Sequence, residues 1–141
     1  MSEPITTESR RIERERAMSL LYEVEMKELP ADEVIDSLPV KPTDFVRSTV
    51  VGTDNAKERL DGDIASHAIG WDLDRMAAVD RSILRMAAFE LHERPELSTA
   101  LIISEAVELA KRFSSEESSK FVNGILSAIA KDVRGDEPVL R

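Results

Sequence analysis

Apolar residues recur every three or four positions along almost the whole chain, and this spacing constrains the fold more than any other feature. Such spacing places apolar side chains on one face of an α-helix. We find neither the alternation of apolar and polar residues nor the turn signals that are typical of β-hairpins. The sequence therefore predicts an all-α protein, with about six or seven helices in two packed helical subdomains.

Capping residues, prolines and glycines set the expected helix boundaries. The predicted helices span, approximately, residues 8–27, 31–37, 44–68, 76–93, 99–113 and 116–133. Thr43 is the expected N-cap of the third helix, and a turn of helix is expected at 72–75. Gly52 costs the third helix about 1 kcal/mol of propensity. We interpret it as a point where another helix approaches closely.

Gly70 is expected to stop the third helix, with Trp71 in a short joint after it. This joint is the predicted boundary between an N-terminal helical half, 10–70, and a C-terminal helical half, 71–134. Residues 1–9 and 135–141 are predicted to be flexible tails. The two halves are expected to form one compact domain.

Composition excludes several classes of protein. The chain has no cysteine, which removes disulfides and thiolate chemistry. No apolar run approaches the roughly 20 residues that span a bilayer, and the N-terminus lacks the apolar segment of a secretory signal. We therefore expect a cytoplasmic protein. The net charge of −9 argues against nonspecific nucleic-acid binding, so any such function would depend on a small local patch.

The segment 107–126 contains one candidate patch. Ser114 and Glu117 have the spacing of a capping box at the start of the last helix. Lys120 and Phe121 follow in its first turns, and a positive helix end beside a lysine and an aromatic ring suits a phosphate-bearing, base-stacking ligand. The alternative is an ordinary helix start with one buried phenylalanine.

Arginines at the start of the first helix form a second candidate patch. At about 100° per residue, Arg10, Arg11 and Arg14 fall within an arc of roughly 100°. Three guanidinium groups on one side of a helix can bind phosphates and stack on bases. Glu13 and Glu15 flank the arc, and a solvated network of surface charges is the alternative interpretation.

Asp80 and Arg81 interrupt the most apolar helix. Asp80 lies in its early turns, where the helix dipole favours an anion. One interpretation is a helix-end charge with an arginine nearby, and the other is a contact for a partner protein.

Enzyme motifs are weak. The chain has no glycine-rich phosphate loop and no Gly-x-Ser-x-Gly elbow. His67 and His92, the two histidines, do not lie in a cluster with metal-ligand spacing. We predict neither an enzyme nor a metal or cofactor site.

Four segments resemble the NusB transcription antitermination family. They are 10–22, with RR at its start and AMSLLY at its end, 79–91 (VDRSILRMAAFEL), 104–111 (SEAVELAK) and 120–126 (KFVNGIL). The resemblance covers about residues 10–133. It implies an RNA-binding antitermination factor that pairs with ribosomal protein NusE and binds boxA RNA. Such a complex modifies RNA polymerase on ribosomal RNA operons.

The resemblance also implies roles for individual residues. The implied RNA contacts are Arg10, Arg11, Arg14, Arg16, Lys120 and Phe121. Asp80 and Glu117 match acidic positions and are assigned to partner binding.

The chain departs from the family pattern where Ile12, Glu13 and Glu15 interrupt the basic run. This departure supports an alternative function, a helical protein-interaction adaptor with weakened or lost RNA binding. A homodimer is a further alternative, because Met18, Tyr22 and Met26 lie on a side of the first helix separate from its inner stripe.

Overall fold

The structure, a computed structural model, describes residues 6–70 and 72–135. In these residues it contains seven α-helices, one short 3-10 helix and no β-strand, which confirms the all-α prediction. The α-helices are α1 Thr7–Lys27, α2 Ala31–Asp36, α3 Asp44–Asn55, α4 Lys57–His67, α5 Ala78–Glu93, α6 Thr99–Phe113 and α7 Glu116–Arg134. The 3-10 helix, Leu73–Arg75, precedes α5. Trp71, expected in the joint, lies outside the described residues.

Two boundaries differ from the predictions. The expected helix 44–68 is broken at Ala56, whose backbone (φ −98°, ψ 10°) leaves the helical region. The break allows α3 to pack mainly on α1 and α5 while α4 lies on α5 and α7. At the N-terminus, α1 begins inside the predicted tail because Thr6 and Ser9 form a reciprocal capping box.

Helix α5 is the centre of the molecule. It packs against α1, α3, α4, α6 and α7, and ten of its sixteen residues are buried. The buried apolar side chains of both predicted halves form a single cluster around it. The two halves therefore share one hydrophobic core.

A buried ion pair joins α1 to this central helix. Nε and Nη2 of Arg14 each donate to a different carboxylate oxygen of Glu90, both at 2.9 Å. The two side chains are only 4% and 2% exposed. This bidentate geometry fixes how α1 is rotated against α5.

A close approach between α3 and α5 explains Gly52. A Cβ atom at this position would lie 2.4 Å from Cε1 and 2.5 Å from Cζ of Phe89. Only glycine lets the phenylalanine ring rest on the helix backbone here. The interpretation of Gly52 as a helix contact is confirmed.

We expect Gly52→Ala to lower the free energy of unfolding by about 1–3 kcal/mol, because the new methyl group overpacks the Phe89 ring. The gain in helix propensity, about 1 kcal/mol at most, does not offset the clash. Gly62→Ala is the matched control, since Gly62 lies exposed in α4 and its Cβ would meet nothing within 4 Å. This control should stabilise by about 0.5–1 kcal/mol. Urea denaturation measures both changes, and two changes of the same sign would contradict the explanation.

We expect Arg14→Gln to lower the free energy of unfolding by about 3 kcal/mol, because it leaves Glu90 with an uncompensated buried charge. Arg94 also donates to Glu90, at 3.2 Å. Because Glu90 keeps this second partner, the expected loss of stability is near the lower end of the range for a broken buried ion pair. Arg59→Gln, which removes the same charge from a pair whose two side chains are both about half exposed, should change stability little. Equal losses in the two variants would show that burial of the pair is not the cause.

Candidate nucleic-acid interface

The arginine arc of α1 faces three other helices rather than open solvent. Arg10 lies over the ring of Phe45 on α3, Arg14 is buried against α5, and Arg11 contacts α6. A sequence signal for this orientation exists. Arg10 and Arg14 continue the helical spacing of the inner stripe that contains Ala17, Leu21 and Val24.

Arg14 is removed from the candidate RNA contacts by its burial. Two nitrogen atoms of its side chain already donate hydrogen bonds to Glu90. The side chain cannot reach a ligand unless the contact between α1 and α5 is broken. This corrects the expectation that the whole arc would be available to RNA.

Arg10 is held on the rim of the same cluster. Its guanidinium carbon lies 3.9 Å from the centre of the Phe45 ring, and its Nη1 donates to Glu13 at 3.1 Å. The other oxygen of Glu13 accepts from the hydroxyl of Thr43 at 2.5 Å. The side chain of Arg10 remains 24% exposed, so one edge of it faces solvent. Glu13 therefore orients the guanidinium of Arg10, and its negative charge also lowers the positive potential around that group.

Arg94 adds a further positive charge to this cluster. Its guanidinium lies 4.2 Å from the centre of the Phe45 ring. Burial lowers the pKa of Arg94, Glu90 opposes that shift, and the neighbouring Arg14 and Arg10 lower it further. The cluster beside the start of α1 thus concentrates more positive charge than the sequence pattern indicated.

Arg11 is the most exposed of the four arginines that were predicted to contact RNA. Its side chain is 53% exposed, and its Nε donates to both carboxylate oxygens of Glu105, at 3.0 and 3.1 Å. This hydrogen bond and the charge of Glu105 raise the pKa of Arg11. Arg16, by contrast, is half-buried and donates from Nη2 to the carbonyl of Val40 at 3.0 Å, which ties α1 to the α2–α3 loop.

Helix α7 begins at Glu116 as predicted, but its N-cap lies one residue later than the predicted one. Ser115 is the N-cap of α7 and accepts from the backbone N–H of Ser118. The predicted capping box of Ser114 and Glu117 is wrong, because Ser114 still terminates α6 by donating its N–H to Ala110. Glu117, assigned to partner binding, is exposed in the first turn of α7.

Lys120 and Phe121 differ in their surroundings. Lys120 is exposed and has no ion pair with the described part of the chain. Phe121 is half-buried and packs against the core, so only part of its ring can meet a ligand. Lys120 is therefore accessible to a ligand, while the packing of Phe121 agrees in part with the alternative of a buried phenylalanine.

Asp80 is an internal link rather than a surface charge. It is 5% exposed, and its Oδ2 accepts from the hydroxyl of Ser118 at 2.9 Å, which joins the first turns of α5 and α7. Arg81 pairs instead with Glu25 of α1. The burial of Asp80 argues against its direct contact with a partner protein.

The two predicted segments are linked along one face of α6. Glu105 and Arg112 on this helix pair with Arg11 and Glu15 of α1, the latter pair at 3.2 Å. Seven helical residues separate the two bridges, which is roughly 10 Å at 1.5 Å per residue. Arg11 therefore lies about 10 Å from the end of α6 that leads to Lys120.

Two cationic side chains that lie between these segments were not predicted as RNA contacts. Lys111 and Arg112 are exposed at the end of α6, and Arg112 lies over the ring of Phe113, 4.9 Å from its centre. We call Arg11, Lys111, Arg112 and Lys120 the cationic row. These residues belong to α1, to the last turn of α6 and to the start of α7. The signal for the two missed residues was their position in the turn directly before the Ser-rich joint.

His67 pairs with Asp132 and His92 with Asp63, each at 2.6 Å, so both histidines join helices to one another. Nowhere in 6–70 and 72–135 do three or more His, Cys, Asp or Glu side chains form a group that could hold a metal. Among the helices of these residues, none combines the length and apolar character that crossing a membrane requires.

The surface suggested for a homodimer is smaller than expected. Tyr22 and Met26 are 41% and 51% exposed, whereas Met18 is buried at 5%. Met18 therefore belongs to the core, and Leu29, which follows the end of α1, is 42% exposed.

Known proteins with similar sequences and structures agree with this architecture. The transcription antitermination protein NusB of Bacillus subtilis (strain 168) is 39% identical over 126 residues, which is 88% of this chain and 96% of that protein. The NusB structure of T. maritima superposes with a TM-score of 0.79 at 30% identity and covers 94% of each chain. A structure of antitermination factors NusB and NusE in complex with dsRNA gives a TM-score of 0.72 at 27% identity, covering 90% of this chain and 99% of that one.

The family model described as NusB family matches residues 11–131, which include the arginine motif from Arg11 onward, the central helix α5 and the start of α7. Together with the 39% identity to a transcription antitermination protein, this match shows that the chain belongs to the NusB family.

Proposed function

We propose that the chain is an RNA-binding transcription antitermination factor that pairs with ribosomal protein NusE and binds boxA-type single-stranded RNA. The observation that carries the proposal is the exposed, pre-oriented guanidinium of Arg11 at the head of the cationic row. A related structure that contains NusB, NusE and RNA supports the choice of partners. The complex would act on RNA polymerase at ribosomal RNA operons.

The cationic row supplies the phosphate contacts in this proposal. Arg11, Arg112 and Lys120 are exposed, and we assign the phosphate contacts to them. Arg10 contributes one exposed edge, and Phe121 contributes part of a ring for stacking. One terminal nitrogen of Arg16 already donates a hydrogen bond to Val40.

The acidic balance of the chain supports the need for NusE. A net charge of −9 repels RNA at long range, so the row alone would bind weakly. A basic partner would complement the acidic surface and extend the positive surface. Glu117, exposed beside the row, is the acidic residue that we assign to this contact.

The proposal makes the chain a binding factor rather than an enzyme. It would act in the cytoplasm, where RNA polymerase works. Membership in a family of antitermination proteins supports both statements.

A second candidate function is the protein-interaction adaptor. The ion pairs that neutralise arginines of this surface favour it, since Arg10, Arg11 and Arg112 each have a carboxylate partner. An adaptor would bind NusE and leave RNA contact to other components.

Fluorescence anisotropy of labelled boxA RNA tests the proposal. We expect NusE to tighten binding, and we expect a log–log salt slope of about −2 to −3 for three or four phosphate contacts to a single strand. Arg11→Gln should weaken binding about tenfold, because it removes charge-assisted hydrogen bonds to phosphate.

Arg59→Gln is the control for the charge change. Arg59 is half-exposed on α4 and paired with Glu93, away from the cationic row. This variant should bind RNA almost as well as the unmodified chain. Capture of NusE without RNA binding in the pair would favour the adaptor, and equal weakening by both variants would remove the cationic row as the binding surface.

A further inference from the structure

The nitrogen atom with which an arginine holds its carboxylate partner decides which edge of the guanidinium remains available. Arg14 uses Nε and Nη2, Arg10 uses Nη1, and Arg112 uses Nη2. Arg11 differs, because both of its hydrogen bonds to Glu105 come from Nε. Its two terminal nitrogens make no hydrogen bond with the described part of the chain.

This geometry leaves the terminal fork of Arg11 ready for a ligand. The two Nη groups carry four N–H donors in one plane, which matches a pair of phosphate oxygens. The side chain is 53% exposed, while its carboxylate partner is 5% exposed on the rigid helix α6. A buried anchor on a regular helix is the arrangement that holds a binding group at a fixed angle.

We propose that Glu105 is a positioning residue for RNA binding, which holds Arg11 by Nε so that its Nη fork faces the phosphate backbone. The inference rests on the proposed RNA-binding function and deepens it. A guanidinium that is already immobilised loses less side-chain entropy when a phosphate binds. In this way Glu105, although it is acidic, favours binding of the anionic RNA backbone.

Simple electrostatics predicts the opposite effect for this residue. Removal of a negative charge from a chain of net charge −9 should strengthen RNA binding. Glu108 provides a matched comparison, because it lies exposed about one turn further along α6 and acts on Arg11 through its charge, with no hydrogen bond between them. The two substitutions Glu105→Gln and Glu108→Gln therefore separate positioning from charge.

The experiment measures anisotropy of fluorescein-labelled boxA RNA with the full chain and NusE. We expect Glu108→Gln to tighten binding up to about threefold through the charge change alone. Glu105→Gln should instead weaken binding about three- to tenfold, because an amide has one oxygen and cannot accept Nε–H in the same chelating geometry. Equal tightening by the two substitutions would overturn the inference.

A double-mutant cycle shows whether Glu105 acts through Arg11. In the Arg11→Gln background, Glu105→Gln should no longer weaken binding and should tighten it as Glu108→Gln does. Weakening that persists in that background would overturn the positioning role. If Arg11→Gln alone leaves RNA affinity unchanged, the proposed function of Arg11 fails, which is a different result from failure of the Glu105 inference.

Arg11→Lys keeps the test valid if Glu105→Gln lowers the folded fraction seen by circular dichroism. Lysine keeps the positive charge and leaves Glu105 in place, but it has no fork and cannot be held at one nitrogen while it binds with two others. We expect affinity to fall close to that of Arg11→Gln. Full affinity in Arg11→Lys would show that charge alone is required and would overturn the inference.

Discussion

The buried pair of Arg14 and Glu90 is the interaction on which the rest of the structure depends. A bidentate guanidinium–carboxylate contact inside a core has one productive geometry, so it sets the rotation of α1 about its axis. With that rotation fixed, Arg10 is directed to Phe45 on α3 and Arg11 to Glu105 on α6. The exposure of Arg11 is thus a consequence of how Arg14 is buried.

Several arginines of this region are each paired with a carboxylate, inside the core as well as at the surface. Glu90 neutralises Arg14 within the core, and Arg94 shares that carboxylate. Carboxylates at positions 13, 15 and 105 then hold the outer arginines in place at the surface. Pairs in which at least one partner reaches solvent contribute less to stability than a fully buried pair. Their larger effect is on the direction in which each guanidinium points, which matters for recognition.

Several features of the fold could be predicted because their causes are local. Capping at Thr43 and a glycine inside a helix are properties of neighbouring residues, and both interpretations agree with the structure. The break at Ala56 could not be predicted, because no glycine or proline marks it. There Asp54 accepts the backbone N–H of Ala31, which fixes the end of α3 to the start of α2.

Most of the helices and the resemblance to the family could be predicted from the sequence, because periodicity, caps and motifs depend on adjacent residues. Which arginines face solvent depends on contacts that form only in the folded chain. Arg14 meets Glu90 across 76 residues of chain, and Arg11 meets Glu105 across 94. A helical wheel shows that these arginines share a side of α1, but the charge that buries one and orients the other comes from helices far away in sequence.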